Sequence, residues 1–195
     1  MKRSSRIDLA RMRKTCGPSL RISARLTLVG AGTLALSGCS SDEAYIYQTV
    51  SECALDNPEA LFQCQAAYEQ AQAEWTQTAP RYRNRSDCEY EFGDSSCDVH
   101  QGLFIPLMMG FMLAQAGGDS DFDVDFRRPK PLTTSRNKRS PVYEKWTGAR
   151  GWVYGDYYQN KVSVDKSVFK PLKGKAKVLG RGGFGKIAAG RSRGG

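Results

Sequence analysis

The chain has 195 residues and a formal net charge of +9 at neutral pH. This length leaves room for one domain of ordinary size. The distribution of this charge excludes a uniformly basic protein. Most of the excess positive charge lies in residues 1–38, while residues 39–126 are acidic and residues 127–195 are basic. The pattern predicts an acidic module with a basic tail that folds back onto it or meets an anionic surface. Two solvated segments, screened by salt, are the alternative.

Residues 1–38 have the features of a bacterial lipoprotein signal peptide. A long basic stretch precedes an apolar run at 26–36, which is shorter than the ~20 residues that span a bilayer. Residues 36–39 read Leu-Ser-Gly-Cys, a pattern typical of a lipobox. We therefore predict cleavage before Cys39 and lipidation of its thiol, with two or three acyl chains holding the protein in a membrane. Ser40, rather than aspartate, follows the cysteine and favours the outer membrane, with the domain facing the periplasm.

The mature chain contains four further cysteines: Cys53, Cys64, Cys88 and Cys97. An even number in an oxidising compartment predicts two disulfides. Zinc is the alternative, but the spacings are longer than those of structural zinc knuckles, so no metal site is expected. Three pairings are open. Ser-Glu-Cys at 51–53 and Ser-Asp-Cys at 86–88 form a weak repeat that favours Cys53–Cys64 and Cys88–Cys97.

Residues 39–101 predict an acidic helical module that these disulfides stabilise. Asn-Pro-Glu at 57–59 is typical of a helix start, and apolar residues then recur on one face of a helix that ends before Pro80. Ser86 is expected to cap a second short helix over residues 87–92.

Residues 102–126 predict an apolar segment followed by an acidic linker. As a helix, the apolar run at 103–114 would extend ~18 Å, too short for a bilayer, so burial in the protein or in a partner is expected. The alternating aspartates of 119–125 fail the EF-hand pattern and indicate a solvated linker.

Residues 127–195 predict a basic tail rich in Gly, Lys and Arg and partly disordered. A β-hairpin formed by 152–154 and 161–164 is the one regular element expected there, with disorder from Lys170 onward. The fold class predicted for the whole chain is mainly α: a small disulfide-stapled helical module, a short apolar helix, that hairpin and a largely irregular tail.

Three motifs suggest catalysis, but each lacks its companions. Residues 178–187 match the glycine-rich loop of a protein kinase, without the downstream kinase residues. Ser-x-x-Lys occurs at Ser135, Ser163 and Ser167, without the other motifs of penicillin-binding enzymes. His100 is the only histidine in the chain. We therefore predict no catalytic residues and no cofactor, and export excludes nucleic acid as a partner.

Several motifs together resemble the YgiB family of small Gram-negative envelope proteins, whose function is unknown. They are the lipobox, Tyr47, Cys64-x3-Tyr68, Thr78-Ala-Pro80 with Tyr82, Asp87-Cys88-x3-Phe92-Gly93-x3-Cys97, Pro106-Leu-Met, Ser140-Pro-x-Tyr143 and Arg181-Gly-Gly-Phe-Gly185. The resemblance covers most of the mature chain and implies no catalytic residues. It does imply a functional link to an ATP-grasp ligase that resembles glutathionylspermidine synthetase.

The leading functional hypothesis is a non-enzymatic envelope lipoprotein that contacts an envelope protein or an anionic polymer. The alternative is a carrier or substrate protein that an ATP-grasp ligase modifies at the carboxylate of Gly195, the end of a flexible glycine tail.

Overall fold

The computed structural model describes residues 41–117, 122–172 and 176–192. Within these ranges the α-helices are α1 (Val50–Asp56), α2 (Leu61–Thr78), α3 (Arg85–Phe92) and α4 (Gly183–Ser192). The strands are β1 (Ser41–Tyr47), β2 (Arg81–Tyr82), β3 (Cys97–His100), β4 (Leu103–Pro106), β5 (Gly110–Gln115), β6 (Val124–Leu132), β7 (Lys145–Thr147), β8 (Val153–Asp156), β9 (Lys161–Asp165) and β10 (Val178–Leu179). Short 3₁₀ segments cover Pro58–Ala60 and Lys166–Phe169.

The largest sheet among the described residues is antiparallel and has the order β6-β5-β1-β9. Its central strand β1 pairs Ala44 with both Ala114 of β5 and Val162 of β9. Both faces of the sheet are covered, because alternate residues of β5 point in opposite directions: Phe111 packs towards α2 and Met112 towards Trp146.

Helix α2 covers one face of this sheet with small side chains. Its Cys64, Ala67 and Ala71 are buried against Phe111 and Leu113 of β5. On the opposite face, Trp146, Leu132, Val162, Val164 and Phe169 form a second layer of the core. Strands and helices from widely separated parts of the chain therefore contribute to the two hydrophobic clusters that cover the faces of the sheet.

A second sheet has the order β10-β2-β4-β3, and β7 and β8 form a separate two-stranded sheet. Strand β10 runs parallel to β2 and pairs Val178 with Arg81. Beside this sheet, Tyr82, Phe92 and Phe184 pack together, with ring centroids 5.1 Å apart between Phe92 and Phe184.

The prediction of a mainly α fold is wrong: the protein is a mixed α/β fold. The apolar run at 103–114, expected to be a short helix, forms β4 and most of β5. Strands that are buried on both faces lose the alternation of polar and apolar residues, so periodicity cannot separate them from a buried helix. Pro106 at the end of β4 and Gly110 at the start of β5 were the local signs of strand ends.

The predicted hairpin is also wrong, although both of its segments are strands. Residues 153–156 form β8, which pairs with β7, and residues 161–165 form β9, which pairs with β1. The partner of β9 lies more than a hundred residues earlier in the chain, and no local pattern encodes that pairing.

The tail beyond Lys170 was expected to be largely irregular, yet it contains β10 and the ten-residue helix α4. Phe184 and Ala188 of α4 are fully buried against Phe92 and Val142. The helix forms because this apolar face has a place in the core, which outweighs its glycine-rich composition.

Two disulfides are present, with the pairing that the sequence favoured. Cys53–Cys64 joins α1 to α2, and Cys88–Cys97 joins α3 to β3. The expected start of the long helix at Asn57 is replaced by a 3₁₀ turn, and α2 proper begins at Leu61. The second helix begins at Arg85, so Ser86 lies inside it and does not cap it.

Substitution of two glycines of α4 by alanine is expected to change the stability of the fold in different ways. At Gly185 a Cβ atom would lie 2.8 Å from Ser140 Oγ and 3.2 Å from Pro141 Cδ, whereas at exposed Gly190 it would meet nothing within 4 Å. We expect Gly185→Ala to lower the free energy of unfolding by about 1–3 kcal/mol through overpacking. Gly190→Ala, the matched control, should be neutral or stabilise by up to about 1 kcal/mol. Urea denaturation of the two variants measures the difference, and equal effects would contradict the packing of α4.

Candidate functional site

A buried carboxylate connects α3, the loop at 133–144 and α4. The side chain of Glu91 is 1 % exposed, and its Oε1 accepts a 2.5 Å hydrogen bond from Ser140 Oγ. Its backbone carbonyl accepts bonds from Ser135 Oγ and from the backbone N–H groups of Arg136 and Asn137. Since no room remains for a Cβ at Gly185 beside Ser140, this polar centre is a packed junction and has no space for a substrate.

Residues of two of the motifs that suggested catalysis have structural roles in this junction. The kinase-like glycine-rich segment begins α4, with Phe184 in the core and Gly185 against Ser140. Ser135, the first of the Ser-x-x-Lys serines, is fully buried and donates to the Glu91 carbonyl. His100 ends β3 opposite Leu103. Within the described residues no group of three or more His, Cys, Asp or Glu side chains is placed to hold a metal ion.

A solvent-accessible cleft lies at the C-terminal end of β1. It has a volume of about 370 Å³ and is lined by the end of β1, one face of α1 and the turn after β8. We call it the acidic cleft and define it by the following residues: Tyr47, Gln48, Glu52, Asp56, Trp146, Tyr157, Tyr158 and Asn160.

The aromatic wall of the acidic cleft is held in place by ring contacts and hydrogen bonds. The rings of Trp146 and Tyr157 have centroids 4.7 Å apart, and Arg136 lies 4.8 Å from the centroid of Tyr157. Trp146 Nε1 donates to the carbonyl of Gln159, and Tyr157 Oη donates to Gln48 Oε1. The wall is therefore preformed, while the Tyr158 ring is 80 % exposed at its edge.

The opposite wall carries negative charge. Glu52 and Asp56 are four residues apart on α1, a spacing that places both on one helix face. Glu52 Oε2 accepts from the backbone N–H of Gln48, which fixes its position at the helix start. Burial raises the pKa of Tyr47, and the charge of Asp56 raises it further. Carboxylates beside an exposed aromatic ring, here that of Tyr158, can bind a cationic group by charge attraction and cation–π contact.

Some of the residues predicted from the sequence lie in the part of the chain that the structure describes, and others lie outside it. Cys53, Cys64, Cys88 and Cys97 form the disulfides. Cys39 and Gly195 lie outside the described residues, as do residues 1–38. The acidic cleft was missed, although the aromatic pair Tyr157-Tyr158 next to a Gly-Asp turn was a visible signal. Its other wall comes from a helix a hundred residues away, so the sequence did not connect the two.

None of the helices in the described residues is long and apolar enough to cross a membrane.

Comparison with known proteins gives a family without an established activity. Residues 41–195 match the family described as "Protein of unknown function (DUF1190)". The chain is 33 % identical to the "UPF0441 protein SG0265" of Sodalis glossinidius (strain morsitans) over 207 residues, covering 97 % of this chain and 92 % of the relative. It is 31 % identical to a "UPF0441 protein" of Klebsiella pneumoniae (strain 342) over 212 residues, covering 98 % and 92 %. No solved structure matches it.

Burial of the Tyr154 side chain makes the stability of the fold depend on pH in alkaline solution. Burial raises the pKa of Tyr154 to about 12, and it also raises the pKa of fully buried Tyr82. In the unfolded chain the tyrosine side chains ionise with a pKa of ~10. The neutral, buried tyrosines therefore stabilise the fold below pH ~10, and this stability is lost as the pH rises towards 12. Tyr154→Phe should flatten the fall of the thermal midpoint above pH ~10. Tyr158→Phe, at an exposed ring, should leave the fall unchanged; the reverse order would contradict the burial of Tyr154.

Proposed function

For this chain, which belongs to the DUF1190 family of proteins of unknown function, we propose the role of a lipid-anchored, non-enzymatic binding protein of the bacterial envelope. Cys39 carries the lipid, the domain faces the periplasm, and the outer membrane is its location. The acidic cleft is the binding site, and its ligand is a cationic group of an envelope partner.

The placement of β1 carries this proposal. Its first residue, Ser41, follows Cys39 by two positions, and its last residue, Tyr47, lines the acidic cleft. Seven residues of strand extend about 20 Å at ~3.3 Å per residue. A lipid on Cys39 therefore places one end of the largest sheet at the membrane and directs the acidic cleft away from it.

Two further observations support export and binding. The two disulfides in the domain fit an oxidising compartment such as the periplasm. Residues of two of the catalytic-looking motifs, Ser135 and Gly185, are used in packing, whereas the acidic cleft is a preformed polar site among the described residues.

The lipid anchor can be tested by replacing Cys39 and, as a control, Cys16 of the leader. Cys39→Ala should abolish incorporation of labelled palmitate and leave the precursor uncleaved, because the acyl acceptor is gone. Cys16→Ala is the matched control, since it removes a cysteine that lies before the lipobox, and it should leave labelling unchanged. Undiminished labelling of Cys39→Ala would overturn the anchor.

The acidic cleft can be tested with a tetra-arginine peptide at low ionic strength. Removal of one charge by Glu52→Gln should weaken binding about fivefold, corresponding to ~1 kcal/mol for one charge pair in water at close range. Glutamine retains an oxygen that can accept from Gln48, so α1 keeps its start. Isothermal calorimetry measures the affinity.

The control is Glu69→Gln, the same change at an exposed position of α2. It should leave the affinity unchanged. Equal losses in the two variants would show that the peptide responds to overall charge and would remove the acidic cleft from the proposal.

A further inference from the structure

The end of the domain at which β1 begins carries an apolar groove between two strand edges. We call it the Trp152 groove; Trp152 and Val153 form one wall, and Val164, Val168 and Leu172 form the other. Its volume is about 470 Å³. Trp152 is 48 % exposed and Val153 is 39 % exposed, so the groove presents large apolar side chains to its surroundings.

The Trp152 groove lies beside the start of β1. Asp165 lines the groove and pairs with Ser41, the first residue of β1, across one strand spacing of ~4.8 Å. The next residue, Lys166, forms an ion pair with Asp42, with 3.3 Å between Nζ and Oδ1. Ser41 follows Cys39 by two residues, which reach about 7 Å at most when extended. The groove is therefore held close to any lipid on Cys39.

A basic cavity of about 250 Å³ adjoins the Trp152 groove. Arg150, Lys177 and Arg191 line it, together with the apolar side chain of Ile187. Arg191 connects the two depressions, because its guanidinium lies 4.7 Å from the centroid of the Trp152 ring. The surface thus places cationic side chains directly beside an exposed aromatic ring.

This combination matches the interface of an anionic phospholipid bilayer. Tryptophan is enriched at the level of the lipid headgroups, where an amphipathic ring is stable. Lysine and arginine side chains near an anionic bilayer surface are attracted to it. The acidic cleft, with Glu52 and Asp56, lies at the other end of β1, and the carboxylate that lines the groove, Asp165, accepts a hydrogen bond from the backbone N–H of Ser167. Attraction of the basic cavity to an anionic surface therefore orients the domain in the same direction as the anchor.

We propose that the Trp152 groove and the basic cavity form a membrane-docking surface that seats the domain on anionic phospholipid. The headgroup phosphate contacts Arg191 and Lys177, and the Trp152 ring enters the interface beside the acyl chains. The inference rests on the lipid anchor at Cys39 and adds a second, non-covalent contact, which fixes the orientation of the domain and keeps the acidic cleft in the periplasm.

The test uses the fluorescence of Trp152 in the full lipidated protein. The other two tryptophans, Trp75 and Trp146, are 2 % and 1 % exposed, so Trp152 is the one that a quencher in the bilayer can reach. The protein is reconstituted into vesicles of phosphatidylcholine, with or without phosphatidylglycerol, whose acyl chains carry bromine. Subtraction of a Trp152→Phe variant isolates the signal.

We expect most of the Trp152 emission to be lost in vesicles that contain phosphatidylglycerol and much less to be lost in phosphatidylcholine alone. Lys177→Glu should return the quenching to the phosphatidylcholine level. Lys138→Glu is the matched control, because this exposed lysine lies in the loop that packs against the start of α4, away from Arg191, and it should leave the quenching unchanged.

The outcomes separate the two proposals. A protein that does not float with the vesicles overturns the anchor and, with it, this inference. A protein that floats while Trp152 stays unquenched retains the anchor and overturns the docking surface. Trp152 emission that resists both brominated lipid and a water-soluble quencher places the ring against protein, in the same molecule or in a second copy, and also overturns the docking surface. Equal losses from Lys177→Glu and Lys138→Glu overturn the role of the basic cavity.

Discussion

The structure depends on the insertion of β1 between β5 and β9. A central strand must satisfy its backbone N–H and C=O groups on both sides, because unpaired groups in a buried sheet cost free energy. For β1 these partners come from residues 110–115 and 161–165. The largest sheet is therefore complete only when most of the chain has been made and folded. The core residues on both of its faces, Phe111 towards α2 and Met112 towards Trp146, are placed by these two ladders.

A second constraint is the polar junction at Glu91. A buried carboxylate costs free energy unless its oxygens are hydrogen-bonded. Here Ser140 donates to the carboxylate of Glu91, and residues 135–137 donate to the backbone carbonyl of the same residue. This loop offers the surface against which α4 packs, and Gly185 permits the close approach that brings Phe184 to Phe92. The glycine-rich segment serves packing, and so its likeness to a kinase loop is one of sequence alone.

The two ends of β1 differ in chemistry. The acidic cleft at Tyr47 combines carboxylates with a rigid aromatic wall, whereas the end at Ser41 adjoins exposed apolar residues and the cations of the basic cavity. The acidic first half of the mature sequence and its basic second half are thus interleaved in one domain. Some of the opposite charges pair with each other inside the domain. Lys130 Nζ of β6 lies 2.8 Å from Glu74 Oε1 of α2 in a partly buried ion pair.

The sequence by itself determined the features that depend on neighbouring residues: the even set of cysteines, the long helix that ends before Pro80, and the end of α3 before Gly93, whose φ of 100° favours glycine. Among three possible disulfide pairings the sequence only favoured Cys53–Cys64 and Cys88–Cys97, which are the pairs in the structure. The tertiary structure decided whether the apolar run was helix or strand, which strands β8 and β9 joined, and whether the tail folded. These choices rest on pairings and burial between residues that are far apart in the chain, and a local pattern carries no record of its distant partner. The acidic cleft belongs to the second group, because α1 and the turn after β8 meet only when β1 has taken its place in the sheet.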